Sequence, residues 1–129
     1  MERSGDWLRQ AQRDLQHAEN SLKFADFEWV CFSSQQAAEK ALKSVYEKDN
    51  LEARGHSILG LLQGLASYYK IPKEFFSYAR ILTRYYIETR YPNGFPEGAP
   101  CDFFDREMAE EAIDAAKKIL EWCRDIILK

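Results

Sequence analysis

Two stretches of this 129-residue sequence carry side chains that could hold an anion or move a proton. In one, Arg80 and Arg84 are followed by Tyr85, Tyr86, Thr89, Arg90 and Tyr91, so phenol rings and guanidinium groups alternate just ahead of Pro92. Guanidinium groups grip phosphate and stack on ring faces, and tyrosines offer a flat surface to a nucleobase, so the mixture suits a nucleotide. It equally suits an anchored loop, with tyrosine rings buried and arginines capping the last carbonyl groups of a helix. In the other stretch, Gln35-Gln36-Ala37-Ala38-Glu39-Lys40-Ala41-Leu42-Lys43, helical spacing brings Gln36, Lys40, Lys43 and the following Glu47 to one face. Two aligned lysines beside amide side chains can hold a phosphate or an acidic partner. The simpler reading is a solvated face laced by Glu39 and Lys43 at i, i+4.

Other chemistry is sparse. There is no Gly-rich phosphate loop and no nucleophile elbow, and no second histidine lies near His17 to complete a metal pair on one helix. Asp14-x-x-His17 is the sole approach to the Glu-x-x-His pattern of a di-iron bundle, so neither a metal nor another cofactor is expected. His17 itself reads as a solvated residue of the first helix.

The elements that must position these groups are helical throughout. Trp7, Ala11, Leu15, Ala18, Leu22 and Ala25 recur at three- and four-residue steps, which predicts a helix from about Ser4 to Phe24 with Ser4 as N-cap. Asp26 can cap a second helix with an inward stripe of Phe27, Cys31, Ser34, Ala38, Ala41, Leu42 and Val45, ending near Asn50. So short a connection folds two long helices into a hairpin. Ile58, Leu61, Leu62, Leu65 and Tyr68 or Tyr69 mark a short third helix, weakened by Gly60 and Gly64. Pro72 suits the first turn of a fourth, with Phe75, Phe76, Ala79, Leu82 and Tyr86 on its apolar face. The prolines and glycines of Arg90–Pro100 halt regular structure. Asp102 or Asp105 then caps a long last helix that turns Met108, Ala112, Ala115, Ile119, Cys123 and Ile126 inward.

The fold class is therefore all-α: a single domain over residues 1–129, built as an antiparallel up-and-down bundle of four to five helices with a Pro/Gly-rich loop before the last. A hydrophobic content of 46%, with 14% aromatic residues, supplies one core of ordinary size and no second. No long uncharged apolar run and no basic-then-apolar leader occur, so no membrane association is expected and the cytoplasm is the expected location. Cys31, Cys101 and Cys123 lack the paired spacings of disulfide or zinc scaffolds and read as buried free thiols. A formal net charge of −3 gives no field that would draw the whole molecule onto nucleic acid, so any phosphate contact must be local.

Taken together, the run QQAAEKALK at Gln35–Lys43, Gly55-His56-Ser57 ahead of the third helix and, above all, Tyr86-Ile87-Glu88-Thr89-Arg90-Tyr91-Pro92 resemble the HEPN family, named for higher eukaryotes and prokaryotes nucleotide-binding. The Trp7 and Asp14-Leu15 region and the alanine-rich last helix also fit, so the resemblance spans nearly the whole chain. It implies a helical bundle that commonly forms a homodimer. It also implies pairing with a minimal nucleotidyltransferase, in some cases as toxin and antitoxin, or binding of a nucleotide. Family members that cleave RNA carry an arginine, four to six residues and then a histidine. Here Arg54 stands only one residue before His56, and Arg13 and Arg9 fall outside that spacing from His17. General acid–base cleavage needs a proton carrier beside a group that steadies the phosphate, and no local run supplies both. The expectation is a non-catalytic, homodimeric module that engages a nucleotide or a nucleotidyltransferase partner through Gln36, Lys40, Lys43, His56, Arg84, Tyr86, Arg90 and Tyr91. The competing expectation is a metal-independent ribonuclease toxin in which His56 moves the proton and Arg84 or Arg90 holds the phosphate.

Overall fold

A computed structural model describes residues 1–129 as five α-helices with no strand. They are α1 (Ser4–Lys23), α2 (Phe27–Lys48), α3 (Ile58–Leu65), α4 (Phe75–Glu88) and α5 (Arg106–Leu128). Single 3-10 turns at Pro92–Gly94 and Pro100–Asp102 interrupt the stretch between α4 and α5. α1 and α2 form the expected hairpin, α5 packs on both and chiefly on α2, and α3 and α4 close the remaining side. Alanines line the long-helix seams: Ala11 and Ala18 on α1, Ala37, Ala38 and Ala41 on α2, and Ala109, Ala112, Ala115 and Ala116 on α5 are all buried. Small side chains let the axes approach closely, so larger ones such as Leu42, Ile58, Leu62, Leu82 and Ile119 fill the spaces between seams.

The helix ends differ from the expected ones in instructive ways. Arg3 takes the N-cap position of α1, and Ser4 is its first helical residue, buried rather than capping. Ala25 is not on the inward stripe: it is exposed with φ 60°. Its N–H donates to Leu22 O at 3.1 Å and that of Asp26 to Ser21 O at 3.2 Å, the paired bonds of a Schellman ending. α2 ends in the same way through Asn50, φ 54°, with Asn50 N–H donating to Glu47 O and Leu51 N–H to Tyr46 O. Asp26 occupies the N-cap of α2, yet its side chain makes no capping bond. Asp105, not Asp102, caps α5 by accepting from Met108 N–H at 2.9 Å, while Asp102 accepts from Ala99 N–H within the loop. Pro72 precedes α4 instead of sitting in its first turn, its carbonyl accepting from Phe75 N–H. Tyr85 rather than Tyr86 fills the inward position of α4 and packs edge-on against Phe104, which leaves Tyr86 half-exposed at the surface.

Cys31 and Cys123 are buried as expected, but Cys101 is exposed, because the 3-10 turn that carries it runs over the outside of the bundle. No helix is long and apolar enough to cross a membrane.

Candidate functional site

The polar face of α2 is not a solvated one. Glu39 is 4% exposed, and its carboxylate accepts from Gln35 Nε2 at 3.0 Å, from Lys43 Nζ at 3.1 Å and from His56 Nδ1 at 3.1 Å. One helical turn on either side of Glu39 supplies Gln35 and Lys43, as the i, i±4 geometry of a helix requires. The third partner arrives from the segment between α2 and α3. Three charge-assisted bonds offset the desolvation of a buried carboxylate, which would otherwise be strongly unfavourable. Gln35 is buried as well and, besides binding Glu39, donates to the backbone carbonyl of His56 at 3.1 Å, so one amide holds both the carboxylate and the loop. Gln36 donates to Gln35 Oε1 at 2.8 Å and completes the chain of bonds.

The segment that carries His56 is pinned further along. Ser57 caps α3 by accepting from Gly60 N–H, and Thr83 of α4 accepts from Leu59 N–H at 3.1 Å. These bonds fix the start of α3 against α4, which sets the imidazole of His56 flat on the ring of Tyr86 with centroids 4.1 Å apart and planes 10° apart. Because a carboxylate faces Nδ1, the neutral imidazole carries its proton there and leaves the Nε2 lone pair free.

Arg90 completes the surface. Its guanidinium lies 4.3 Å from the Phe32 centroid, 4.6 Å from that of Tyr86 and 5.1 Å from that of Tyr91. Nε donates to the Tyr86 carbonyl at 2.9 Å, and Nη2 donates to the same oxygen. Arg90 thus caps the C-terminus of α4 and at the same time stands among three rings, so the structural and the ring-and-cation readings of this segment hold together in one side chain. Thr89, buried one position earlier, donates to the Tyr85 carbonyl at 2.6 Å and ties the same turn down.

Of the residues expected to act together, His56, Lys43, Tyr86, Arg90, Tyr91 and, through Gln35, Gln36 form one connected cluster. Two do not join it. Lys40 turns to α1, where its ammonium meets Asp14 at 2.6 Å, and Arg84 pairs along its own helix with Glu88 at 3.4 Å. Three members lay outside the expected set: Gln35, Glu39 and Phe32. The signal for Glu39 was present in its i, i+4 relation to Lys43, but sequence could not show that this face is covered. No group of three His, Cys, Asp or Glu side chains is close enough to hold a metal ion.

Next to the cluster, a groove of about 250 Å³ runs between α1 and α2, lined by Asp14, His17, Trp29, Phe32, Ser33, Gln36 and Lys40. Phe32 is shared with the Arg90 cluster, and Trp29 stands edge-on to it with centroids 6.2 Å apart. His56 and Arg90 already cover the Tyr86 ring, so the surface the arrangement presents is the exposed Tyr91 ring and one oriented, half-exposed imidazole beside the Arg90 guanidinium.

The HEPN domain family model matches residues 4–126, and the chain belongs to the HEPN family. The solved structure of TT1696 from Thermus thermophilus is 44% identical and superimposes with a TM-score of 0.93, covering 97% of this chain and 98% of that one. ST0689, described as an archaeal HEPN homologue, is 37% identical with a TM-score of 0.83 over 98% of this chain and 99% of that one. Among curated proteins, Putative toxin MJ1304 of Methanocaldococcus jannaschii is 25% identical over 94% of this chain and 86% of its own length.

Proposed function

From membership of the HEPN family as premise, we propose that this chain is a non-catalytic binding module that acts as a homodimer. It engages a nucleotide through the His56, Tyr86 and Arg90 cluster, and pairs with a minimal nucleotidyltransferase in a toxin–antitoxin-like system. The observation that carries the ligand half is the placement of Arg90 among Phe32, Tyr86 and Tyr91, with the His56 ring stacked on Tyr86. Flat π surface beside a fixed guanidinium suits a base and its phosphate, and rigid support from Glu39 and the Tyr86 carbonyl lowers the ordering cost of binding. The toxin name of the MJ1304 relative supports the toxin–antitoxin half.

Calorimetry with ATP, GTP and AMP tests the ligand half. Binding that Arg90→Ala weakens at least tenfold supports it, and the absence of binding at millimolar nucleotide sinks it. Co-purification with the product of a neighbouring gene tests the partner half, and sedimentation at micromolar concentration tests the dimer.

A second reading, a metal-independent ribonuclease, is favoured by one specific observation. Glu39 stands behind His56 in the way an orienting carboxylate stands behind a catalytic imidazole, leaving Nε2 free to take or give a proton. In that reading Arg90, which shares the Tyr86 ring with His56, steadies the phosphate. It requires that purified protein cleave RNA and that His56→Ala abolish cleavage with the fold retained. Intact RNA after prolonged incubation rejects it.

A further inference from the structure

On the side of the bundle away from His56, α4 and α5 meet in an open apolar groove. It measures about 160 Å³, with Ile81, Leu82, Ala112 and Ala115 on its walls and Glu111 and Asp114 along one rim. Ile81 is 38% exposed, an aliphatic side chain left in water. The two helices carry opposite charge outward. The exposed cations of α4 are Arg80 and Arg84, whereas from Glu107 to Asp114 every exposed side chain of α5 is acidic. We propose that a second copy of this chain docks on this face, across a two-fold axis that runs along the helices, so that α4 of each protomer lies on α5 of the other. The inference rests on the homodimer of the preceding reading and names the surface it uses.

A two-fold interface uses one patch twice, so the patch must be complementary to itself. A basic helix beside an acidic one meets that condition, because the rotation sets each against its opposite. An axis along the helices also keeps every residue at its own height. α4 and α5 run antiparallel, with Lys118 Nζ donating to the Tyr78 hydroxyl at 3.3 Å near one end and Tyr85 against Phe104 near the other. Ile81 is therefore level with the segment from Glu111 to Ala115. Arg84 and Arg80, on either side of it, come level with Glu111 and Asp114 of the second copy, and the two Ile81 side chains meet at the axis.

The charges are available for this pairing. Arg80, Glu107, Glu110 and Glu111 make no ion pair within the chain. Arg84–Glu88 at 3.4 Å and Asp114–Lys118 at 3.1 Å are exposed pairs of small net strength, which can exchange partners at little cost. With only Ile81 and the groove walls as apolar centre, the contact depends on charge and weakens as salt screens it.

Sedimentation velocity on the intact chain tests the surface in wild type, in a variant carrying Arg80→Glu and Arg84→Glu, and in one carrying Glu111→Arg and Asp114→Arg. All four positions are exposed, so circular dichroism is expected to show helix content unchanged in both variants. Wild type is expected to dimerise at micromolar concentration, with affinity falling about tenfold between about 0.1 M and about 1 M sodium chloride. Each variant alone sets like charge against like and is expected to be monomeric. An equimolar mixture of the two restores both sets of opposite charges and is expected to dimerise as wild type does, a recovery that loss of fold cannot produce. Variants that each remain dimeric overturn this surface and leave the homodimer on another face. Wild type that stays monomeric overturns the homodimer and this surface together. Monomeric variants whose mixture also stays monomeric overturn the pairing of α4 with α5, and dimeric variants that no longer co-purify with the product of a neighbouring gene give the groove to that protein instead.

Discussion

Glu39 and His56 lie seventeen positions apart in the chain, on either side of a helix end, yet the carboxylate of one meets Nδ1 of the other at 3.1 Å. The carboxylate is buried and the imidazole is about half exposed, so the pair passes orientation from the interior to the surface. The stacked Tyr86 ring and the Arg90 guanidinium beside it extend that ordered surface onto α4.

Removing the carboxylate leaves three donors without an acceptor. Glu39→Ala is expected to lower unfolding free energy by about 2–3 kcal/mol, since Gln35 and the mostly buried Lys43 both lose their charged partner. Glu39→Gln, which keeps an acceptor oxygen, should cost less. Urea denaturation followed by circular dichroism measures both, and equal stability of Glu39→Ala and wild type would contradict the buried network.

Gly64 has no room for a side chain. A Cβ there would collide with the hydroxyl oxygen of Tyr46, which is itself held to the Leu61 carbonyl at 2.7 Å. Gly64→Ala gains helix propensity of roughly 1 kcal/mol, but displacing a buried, hydrogen-bonded tyrosine outweighs it. A net loss of about 1–2 kcal/mol is expected, and pairing the change with Tyr46→Phe should recover part of it.

Ala25 calls for the opposite substitution. It holds φ 60° at the end of α1, a conformation that costs an L-residue with a Cβ roughly 1–2 kcal/mol. Ala25→Gly should therefore raise stability, by up to about 1 kcal/mol after the added unfolded-state entropy of glycine is deducted. A lower thermal midpoint for this variant would rule out the left-handed ending.

Buried acids tie stability to alkaline pH: the thiols of Cys31 and Cys123 and the phenols of Tyr46, Tyr69 and Tyr85 are all pushed up, chiefly by desolvation. Burial pushes the Cys31 thiol from 9.0 to about 12, and burial with the Asp49 hydrogen bond pushes the Tyr69 phenol from 10.0 to about 12. In both, the fold favours the protonated form. Their contribution is complete below the unfolded values and is lost as pH rises from about 9 towards 12. The thermal midpoint should thus be flat to pH 8 and fall progressively above 9, with Cys31→Ala reducing the early part of that fall and Cys31→Ala combined with Cys123→Ala reducing it further.

Thiol reactivity separates the cysteines. Cys101 is exposed, whereas Cys31 and Cys123 are buried with their thiols pushed up by desolvation. An aromatic disulfide reagent should titrate one thiol in the native protein at pH 8 and three in denaturant. Two fast-reacting thiols in the native state would contradict this packing.

Much of the architecture was legible in residue order. The three- and four-residue recurrence of apolar positions placed all five helices, because an amphipathic stripe is a local property of a chain with 3.6 residues per turn. A capping aspartate at 102 or 105 and the Pro/Gly stretch likewise act on neighbours within a few residues. The family motif around Tyr86–Pro92 marked Arg90 and Tyr91 for the same reason. What needed tertiary structure was every partnership across helices. Glu39 and Lys43 look like a solvated pair until His56 and its loop cover them, and Lys40 looks free until α1 brings Asp14 to it. Tyr85 and Tyr86 are adjacent and chemically alike, and only the rotation of α4 against Phe104 decides which is core and which lies at the surface beside His56. Burial and charge pairing depend on which distant segment lies opposite, a quantity that no local spacing contains.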